Sequence, residues 1–331
     1  MTAPGLSVSR AAEIVSRIGE EEWLIESMWG QSAVGIVGGQ PKCMKSWYGL
    51  EMAVSVATGT PCLGRFPVKD PGPTMVFLAE DALPNVRDRI VGLCGRRQTR
   101  IEDLDLLVIT EPVLRLDDQG CRERLERTVE QYAPKLLLLD PLIRLHRLCE
   151  NDSQEISGLL GHLRELQRRY GVSIALVHHA SKRRRAHPGQ SLRGSSDLHA
   201  WTDTTAILQR KEDRVVVTLE HRFAPAPEPL VLGLITEDGA TGLSILEDIR
   251  VPGGTPADLP DAVLSTLGDA GQPLRRGELR ERLRVNNRRL GEALTALEHA
   301  ERIRRGPDGW TAGGTNGKAA KSGQLFASET G

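Results

Sequence analysis

The sequence predicts an α/β protein with a mainly parallel sheet, an antiparallel extension of that sheet and a small helical module at the end. Three observations carry this. Short apolar runs alternate with helix-length segments over the first 180 or so residues, the alternation then gives way to successive strand patterns, and a Pro- and Gly-rich stretch separates these from a late three-helix pattern. The length, 331 residues, suits one large α/β domain with an appendage.

The apolar runs at 33–37, 74–78, 106–109, 135–139 and 173–177 are short and continuous, as strands buried on both faces should be. Helix-like stretches lie between them at 46–57, 83–93, 122–132 and 154–170. In the last, Ile156, Leu159, Leu160, Leu163 and Leu166 recur at helical spacing, and Gly171 follows as a C-cap. From Thr204 onward TTAILQR, RVVVTLE and PLVLGLI alternate with charged or Pro-rich turns and extend the sheet antiparallel. VPGGTPADLP, residues 251–260, is expected to be a linker between a domain of residues 1–250 and a module of residues 261–312. In that module helical patterns at 261–267, 276–283 and 287–300 precede the strand–turn–strand pattern RIRRGPDGWTA, the order of a winged helix. Residues 313–331 have too few large apolar side chains to order themselves, and a disordered tail is expected.

Charge and cysteines exclude more than they assign. With 43 Lys+Arg against 44 Asp+Glu the net charge is -1, so the chain is neither a uniformly basic coat nor an acidic tail, although a total can hide a basic face. Five scattered cysteines without a CxxC pair argue against a disulfide framework or a zinc site. No apolar run approaches the roughly 20 residues needed to cross a bilayer. The first residues lack a basic and apolar leader, so a cytoplasmic protein with no membrane partner is expected.

The chemistry concentrates at predicted strand ends. The first strand runs into Gly39, Gln40, Pro41, Lys42, Cys43, Met44, Lys45, Ser46 and Trp47, which follow the spacing GxxxxGK[ST] with Met44 in place of the second glycine. In such a loop the backbone N–H groups and the lysine meet phosphates while the serine hydroxyl meets Mg²⁺, so ATP and Mg²⁺ are the expected cofactors. The alternative is a strand-to-helix turn with Lys45 solvated. KLLLLDP ends a buried strand in Asp140, a second metal-ordering group that acts through water. FLAED puts Glu80 and Asp81 at another strand end, where a carboxylate can orient attacking water; Glu80 is the choice and Asp81 its rival, with capping of the next helix as the alternative for both. LVHHASK ends in His178 and His179, the second a candidate γ-phosphate sensor and the first a structural histidine. Basic residues cluster twice: Lys182, Arg183, Arg184, Arg185 and Arg193 suit neutralisation of a nucleic-acid backbone, with a solvated charge run as the alternative, and Arg288, Arg289, Arg302, Arg304 and Arg305 in the late module suit a duplex, with a protein partner as the alternative.

Taken together, GGQPKCMKS, FLAED, LLLLDPLIRLH, SIALVHHASK and RGSS resemble the RecA/DnaB-type P-loop NTPases, and among them the RepA-type hexameric replicative helicases, over roughly residues 23–246. The resemblance implies a RecA-like core that assembles as a homo-oligomeric ring, a hexamer, and hydrolyses ATP between subunits while acting on single-stranded DNA. It also implies that Lys45 and Ser46 hold phosphate and Mg²⁺, that Glu80 activates water, that Asp140 is the metal-ordering acid, and that His179 links nucleotide state to the DNA-binding loop. Two positions depart from the pattern. Met44 replaces glycine, and Glu220 stands where these helicases often carry lysine, while Arg222 two places on is retained as a candidate arginine finger, with Arg210 the alternative. The late module would bind duplex DNA or a replication protein. The alternative function is a nucleotide-switched, DNA-binding regulatory or accessory protein with little turnover.

Overall fold

The computed structural model describes residues 8–13, 23–148, 153–179, 196–211, 214–246, 259–283, 285 and 287–312. A small pair, β1 (Trp23–Ile25) and β2 (Trp29–Gly30), precedes the central feature, one large sheet. Its strands are β3 (Val34–Gly39), β4 (Thr74–Leu78), β5 (Leu106–Val108), β6 (Leu136–Asp140), β7 (Ser173–His179), β8 (Thr204–Lys211), β9 (Arg214–His221), β10 (Leu230–Glu237) and β11 (Ala240–Ile245). Their order is β11-β10-β9-β8-β3-β7-β6-β4-β5, with β8 and every strand on its β3 side running parallel and the four from β8 to β11 pairing antiparallel. This is the predicted α/β core, a mainly parallel sheet with an antiparallel extension.

The period of two along each strand sends side chains into two separate cores. Val76, Leu78, Leu136, Leu138, Ala175 and Val177 face one, packed under α1 (Lys45–Thr58) and α2 (Leu83–Gly95). Met75, Phe77, Leu137, Leu139, Ile174 and Leu176 face the other, under α3 (Gln119–Tyr132) and α4 (Ser153–Tyr170). Burial on both faces explains why these strands read as unbroken apolar runs. The helices have local causes too: Asp118 caps α3 by accepting from the Cys121 amide at 2.9 Å, and α4 buries its five predicted apolar positions and stops at Gly171, φ +67°. Close packing sets the depth of α1, because a Cβ at Gly49 would lie 2.8 Å from the Leu138 methyls.

Three features of this part go beyond the sequence reading. Strand β11 adds a hairpin whose turn is Asp238–Gly239, both at positive φ and flanked by the pair Glu237↔Ala240; an Asp-Gly turn is the sequence signal for it. Strands β1 and β2 and the short helix α5 (Ser196–Trp201) are too brief for periodicity to show.

The chain divides into two compact units after Glu247. The second contains α6 (Leu259–Ala270), α7 (Arg276–Leu283), α8 (Asn287–His299), β12 (Ile303–Gly306) and β13 (Gly309–Ala312), closed around Leu259, Val263, Leu267, Leu279, Leu290, Leu294, Ile303 and Trp310. Two residues assigned to the linker are helix instead: α6 starts at Leu259, a buried core residue, and Pro260 follows in the first turn, where a missing N–H costs nothing. The rest of the linker, 251–258, and the tail, 313–331, lie outside the described residues. Among the described residues no helix is long and apolar enough to cross a membrane, and Cys43, Cys62, Cys94 and Cys121 are free thiols.

Candidate nucleotide site

Parallel pairing brings the ends of β3, β4, β6 and β7 to one edge of the sheet. His179 pairs with Gly39 across β7 and β3, and Asp140 pairs with Leu78 across β6 and β4. From Gly39 the chain loops through Gln40, Pro41, Lys42, Cys43 and Met44 and enters α1 at Lys45. Gly39 must be small: a Cβ there would lie 2.4 Å from the Leu208 carbonyl oxygen and 2.5 Å from the Cys43 sulfur. Met44 adopts φ 64°, ψ 25°, the left-handed conformation that explains the usual glycine at this position. Holding a side chain there costs about 1–2 kcal/mol. Its half-buried side chain packs on the α1/α2 core, as does Trp47, and so offsets part of that cost. Gln40, Pro41 and Lys42 are exposed.

Lys45 is buried and its Nζ donates to the Gln40 carbonyl at 2.8 Å, with the Cys43 sulfur 3.8 Å away. The ammonium is thus folded against its own loop. Burial pushes the Cys43 thiol up, against the opposing pull of Lys45, so the sulfur stays protonated and neutral beside it. Asp140 is 7% exposed, and burial pushes its carboxyl up to about 6 despite the hydrogen bond from Ser46 and the charge of Lys45. Nearby Asp81 and Glu80 add to the rise. One oxygen of this carboxylate, Oδ2, is buried with no hydrogen-bond partner. Such an oxygen beside a serine hydroxyl and a lysine fits a cation bridged to phosphate, and hard oxygens suit Mg²⁺. Among the described residues no group of three or more His, Cys, Asp or Glu could hold a metal unaided, so an ion held by Ser46 and Asp140 would also need water or phosphate oxygens.

Glu80 and Asp81 leave β4 at the same edge, and neither caps α2, whose N-cap is Ala82. Asp81 is bound bidentately by Arg89 at 2.6 and 3.0 Å, and Arg89 lies 5.6 Å from the Trp47 ring centre. Glu80 is half-exposed and accepts from Arg144 Nε at 2.8 Å. Of the two carboxylates, Glu80 therefore has the oxygen open to solvent. His178 is buried, and His179 sits at the strand end beside Gly39.

The two finger candidates go to different places. Arg210 donates to the Lys42 carbonyl of its own loop at 3.3 Å. Arg222 follows β9 at the opposite edge of the sheet, where its guanidinium meets the Ala200 carbonyl and Asp203. Of the basic residues, Lys182, Arg183, Arg184, Arg185 and Arg193 lie outside the described residues. Arg288 and Arg289 fall in the first turn of α8. Arg304 and Arg305 are exposed on β12, with Arg305 5.7 Å from the Trp310 ring centre. Sequence reasoning missed Arg144 and Arg89, whose partners are 64 and 8 residues away; only the LIRLH segment after Asp140 hinted at the first.

A strand, a phosphate-type loop with a left-handed residue before its lysine, and a buried acid two strands away define a P-loop ATPase domain. Residues 3–185 match the AAA domain family, and the chain belongs to that family. Solved structures similar to it include the crystal structure of the RadB recombinase (16% identity, 66% of this chain and 93% of that one, TM-score 0.49). Another is a DnaB-like replicative helicase, solved with its interactions with primase (17% identity, 64% of this chain and 57% of that one, TM-score 0.49). No curated protein matches.

Proposed function

We propose that this chain is a Mg²⁺-dependent ATPase that works on single-stranded DNA as a homo-oligomeric ring, a replicative helicase of RepA type. The observation that supports this most is the buried Asp140 oxygen without a partner beside Ser46 and Lys45. Gly39 to Trp47 wrap the phosphates. Lys45 leaves the Gln40 carbonyl for the terminal phosphates, and Ser46 and Asp140 hold Mg²⁺, Asp140 through water. The ion supplies charge neutralisation at the phosphates. Glu80 orients the attacking water and takes its proton. His179, next to Gly39 in register, relays the presence of the γ-phosphate to the basic segment with Lys182, Arg183, Arg184, Arg185 and Arg193, which neutralises the DNA backbone. Arg222 lies too far from its own loop to act there and serves a neighbour's site as the finger. The second unit, a winged-helix module, tethers the ring to duplex DNA or a replication protein through Arg288, Arg289, Arg304 and Arg305.

One observation favours a second reading. Arg222 is already tied to Asp203 and the Ala200 carbonyl within its own chain, which suits a nucleotide-controlled assembly switch with little turnover. ATP hydrolysis with and without single-stranded DNA separates the two. Stimulated turnover and strand displacement support the helicase; nucleotide binding with no turnover in either condition supports the switch. Replacing Arg183, Arg184 and Arg185 by Ala should weaken single-strand binding and flatten its salt dependence, and unchanged affinity at low and moderate salt would remove that segment from the DNA path.

A further inference from the structure

We propose that Arg210 is a positioning residue for the phosphate loop: its guanidinium holds the Lys42 carbonyl and so keeps the Cys43 amide turned into the loop, ready for a phosphate oxygen. The inference rests on the ATPase reading above and adds to the nucleotide site a residue from outside the loop that acts within its own chain.

The contact is built by the sheet. Strand β8 runs parallel beside β3 with Leu208 opposite Gly39, and a Cβ at Gly39 would lie 2.4 Å from the Leu208 carbonyl oxygen. Arg210 follows two residues later, at the level of the loop. Its backbone is fixed from the other side, because it pairs with the buried Val215 of β9. The side chain is exposed and reaches the loop, where Nη1 donates to the Lys42 carbonyl at 3.3 Å.

The loop needs that hold at Lys42. This residue has φ 62° and Met44 has φ 64°, so two residues with side chains stand in left-handed backbone on either side of Cys43. Such backbone is disfavoured for any residue with a Cβ. Met44 is compensated by packing against the α1/α2 core. Lys42 is exposed, and Arg210 is its hydrogen-bond partner among the described residues. A trans peptide points its N–H away from its carbonyl. Fixing the Lys42 carbonyl on Arg210 therefore fixes the direction of the Cys43 N–H, and among the described residues no backbone carbonyl accepts from that amide. Left-handed residues in such a turn gather successive amides into a concavity that suits an anion. The other tie within the loop, Lys45 to the Gln40 carbonyl, is given up when Lys45 turns to the phosphates, whereas the Arg210 tie does not depend on Lys45.

The test is ATP binding to the full chain with Mg²⁺, by calorimetric titration, alongside steady-state hydrolysis and the thermal midpoint. Arg210→Ala should raise Kd and KM for ATP by about two- to ten-fold, the range of a single hydrogen bond, with kcat and the thermal midpoint close to the parent's. Arg210→Lys, which keeps a donor, should recover part of the affinity. In the background of Lys42→Gly left-handed backbone is populated freely, so there is less for Arg210 to hold and Arg210→Ala should raise Kd by less than it does in the parent. A residue that acts through its charge alone, or on a neighbour's terminal phosphate, would show the same effect in both backgrounds. An unchanged Kd in Arg210→Ala, a loss confined to kcat, or an equal loss in the Lys42→Gly background overturns the positioning role and leaves the ATPase reading standing. A parent that binds no ATP overturns both.

Discussion

The two edges of the central sheet treat their carboxylates in opposite ways. At the edge where β8 begins, Asp203 accepts from the Val34 amide at 3.1 Å and from Arg164 at 2.6 and 3.2 Å, and Arg222 stands 3.6 Å away. Arg164 also donates to the Trp201 carbonyl and lies 5.8 Å from that ring centre. Each of these groups has a partner inside the chain. At the other edge Asp140 keeps a buried oxygen unpaired and its carboxyl shifted up to about 6, Lys45 rests on a loop carbonyl, and Met44 is held left-handed. A fold that satisfies one carboxylate fully and leaves another wanting has built the first for stability and the second for a ligand.

The contrast can be broken from either side. Glu80→Gln should lower kcat by about 10²–10⁴-fold, the contribution of a positioned general base, without moving the thermal midpoint; a stability loss with retained turnover would reverse the assignment. Asp203→Ala should do the converse, costing about 2–3 kcal/mol of unfolding free energy because Arg164 and the Val34 amide lose their acceptor. Its affinity for ATP, measured on the folded fraction, should match the parent.

The pH dependence of stability should differ between the edges as well. Burial holds the Asp140 carboxyl up at about 6, against an ordinary value near 4. Between those values the folded chain keeps a proton that the unfolded chain has released, so the stabilisation is complete below about pH 4 and is lost as pH rises through about 6. Asp140→Asn should remove that slope and stabilise the nucleotide-free protein at pH 7 by about 1–3 kcal/mol, measured by chemical denaturation at about pH 4.5 and 7. A slope that persists in the variant assigns it to another group. The smallest effect concerns the loop. Met44→Val places a β-branched residue in left-handed backbone and should weaken ATP binding by about three- to ten-fold, whereas Met44→Gly should bind at least as well as the parent. Equal loss in both variants would mean that the Met44 side chain itself touches the nucleotide.

The core strands and helices are legible in the sequence because burial on two faces leaves long apolar runs and because α4 repeats its leucines with the helical period. Gly39, Lys45, Ser46 and Asp140 are legible from spacing, since the loop and the strand end must recur in order. What spacing cannot show is tertiary pairing. That Arg144 reaches Glu80, that Arg89 occupies Asp81 and that Arg222 returns to Asp203 depends on which loops the parallel register brings together. Nor can spacing show how Met44 is tolerated: its backbone takes the glycine conformation and its side chain finds the α1/α2 core. Composition also assigns Leu259 and Pro260 to a linker because they sit in a loop-like stretch, yet they open a helix.

The most direct test of the account is Mg²⁺-dependent ATP hydrolysis by the parent and by Asp140→Asn, with ATP binding measured in parallel. The account predicts turnover only with Mg²⁺ in the parent and a loss of about 100-fold or more in the variant while ATP still binds. Hydrolysis that ignores Mg²⁺, or that survives Asp140→Asn unchanged, would contradict it.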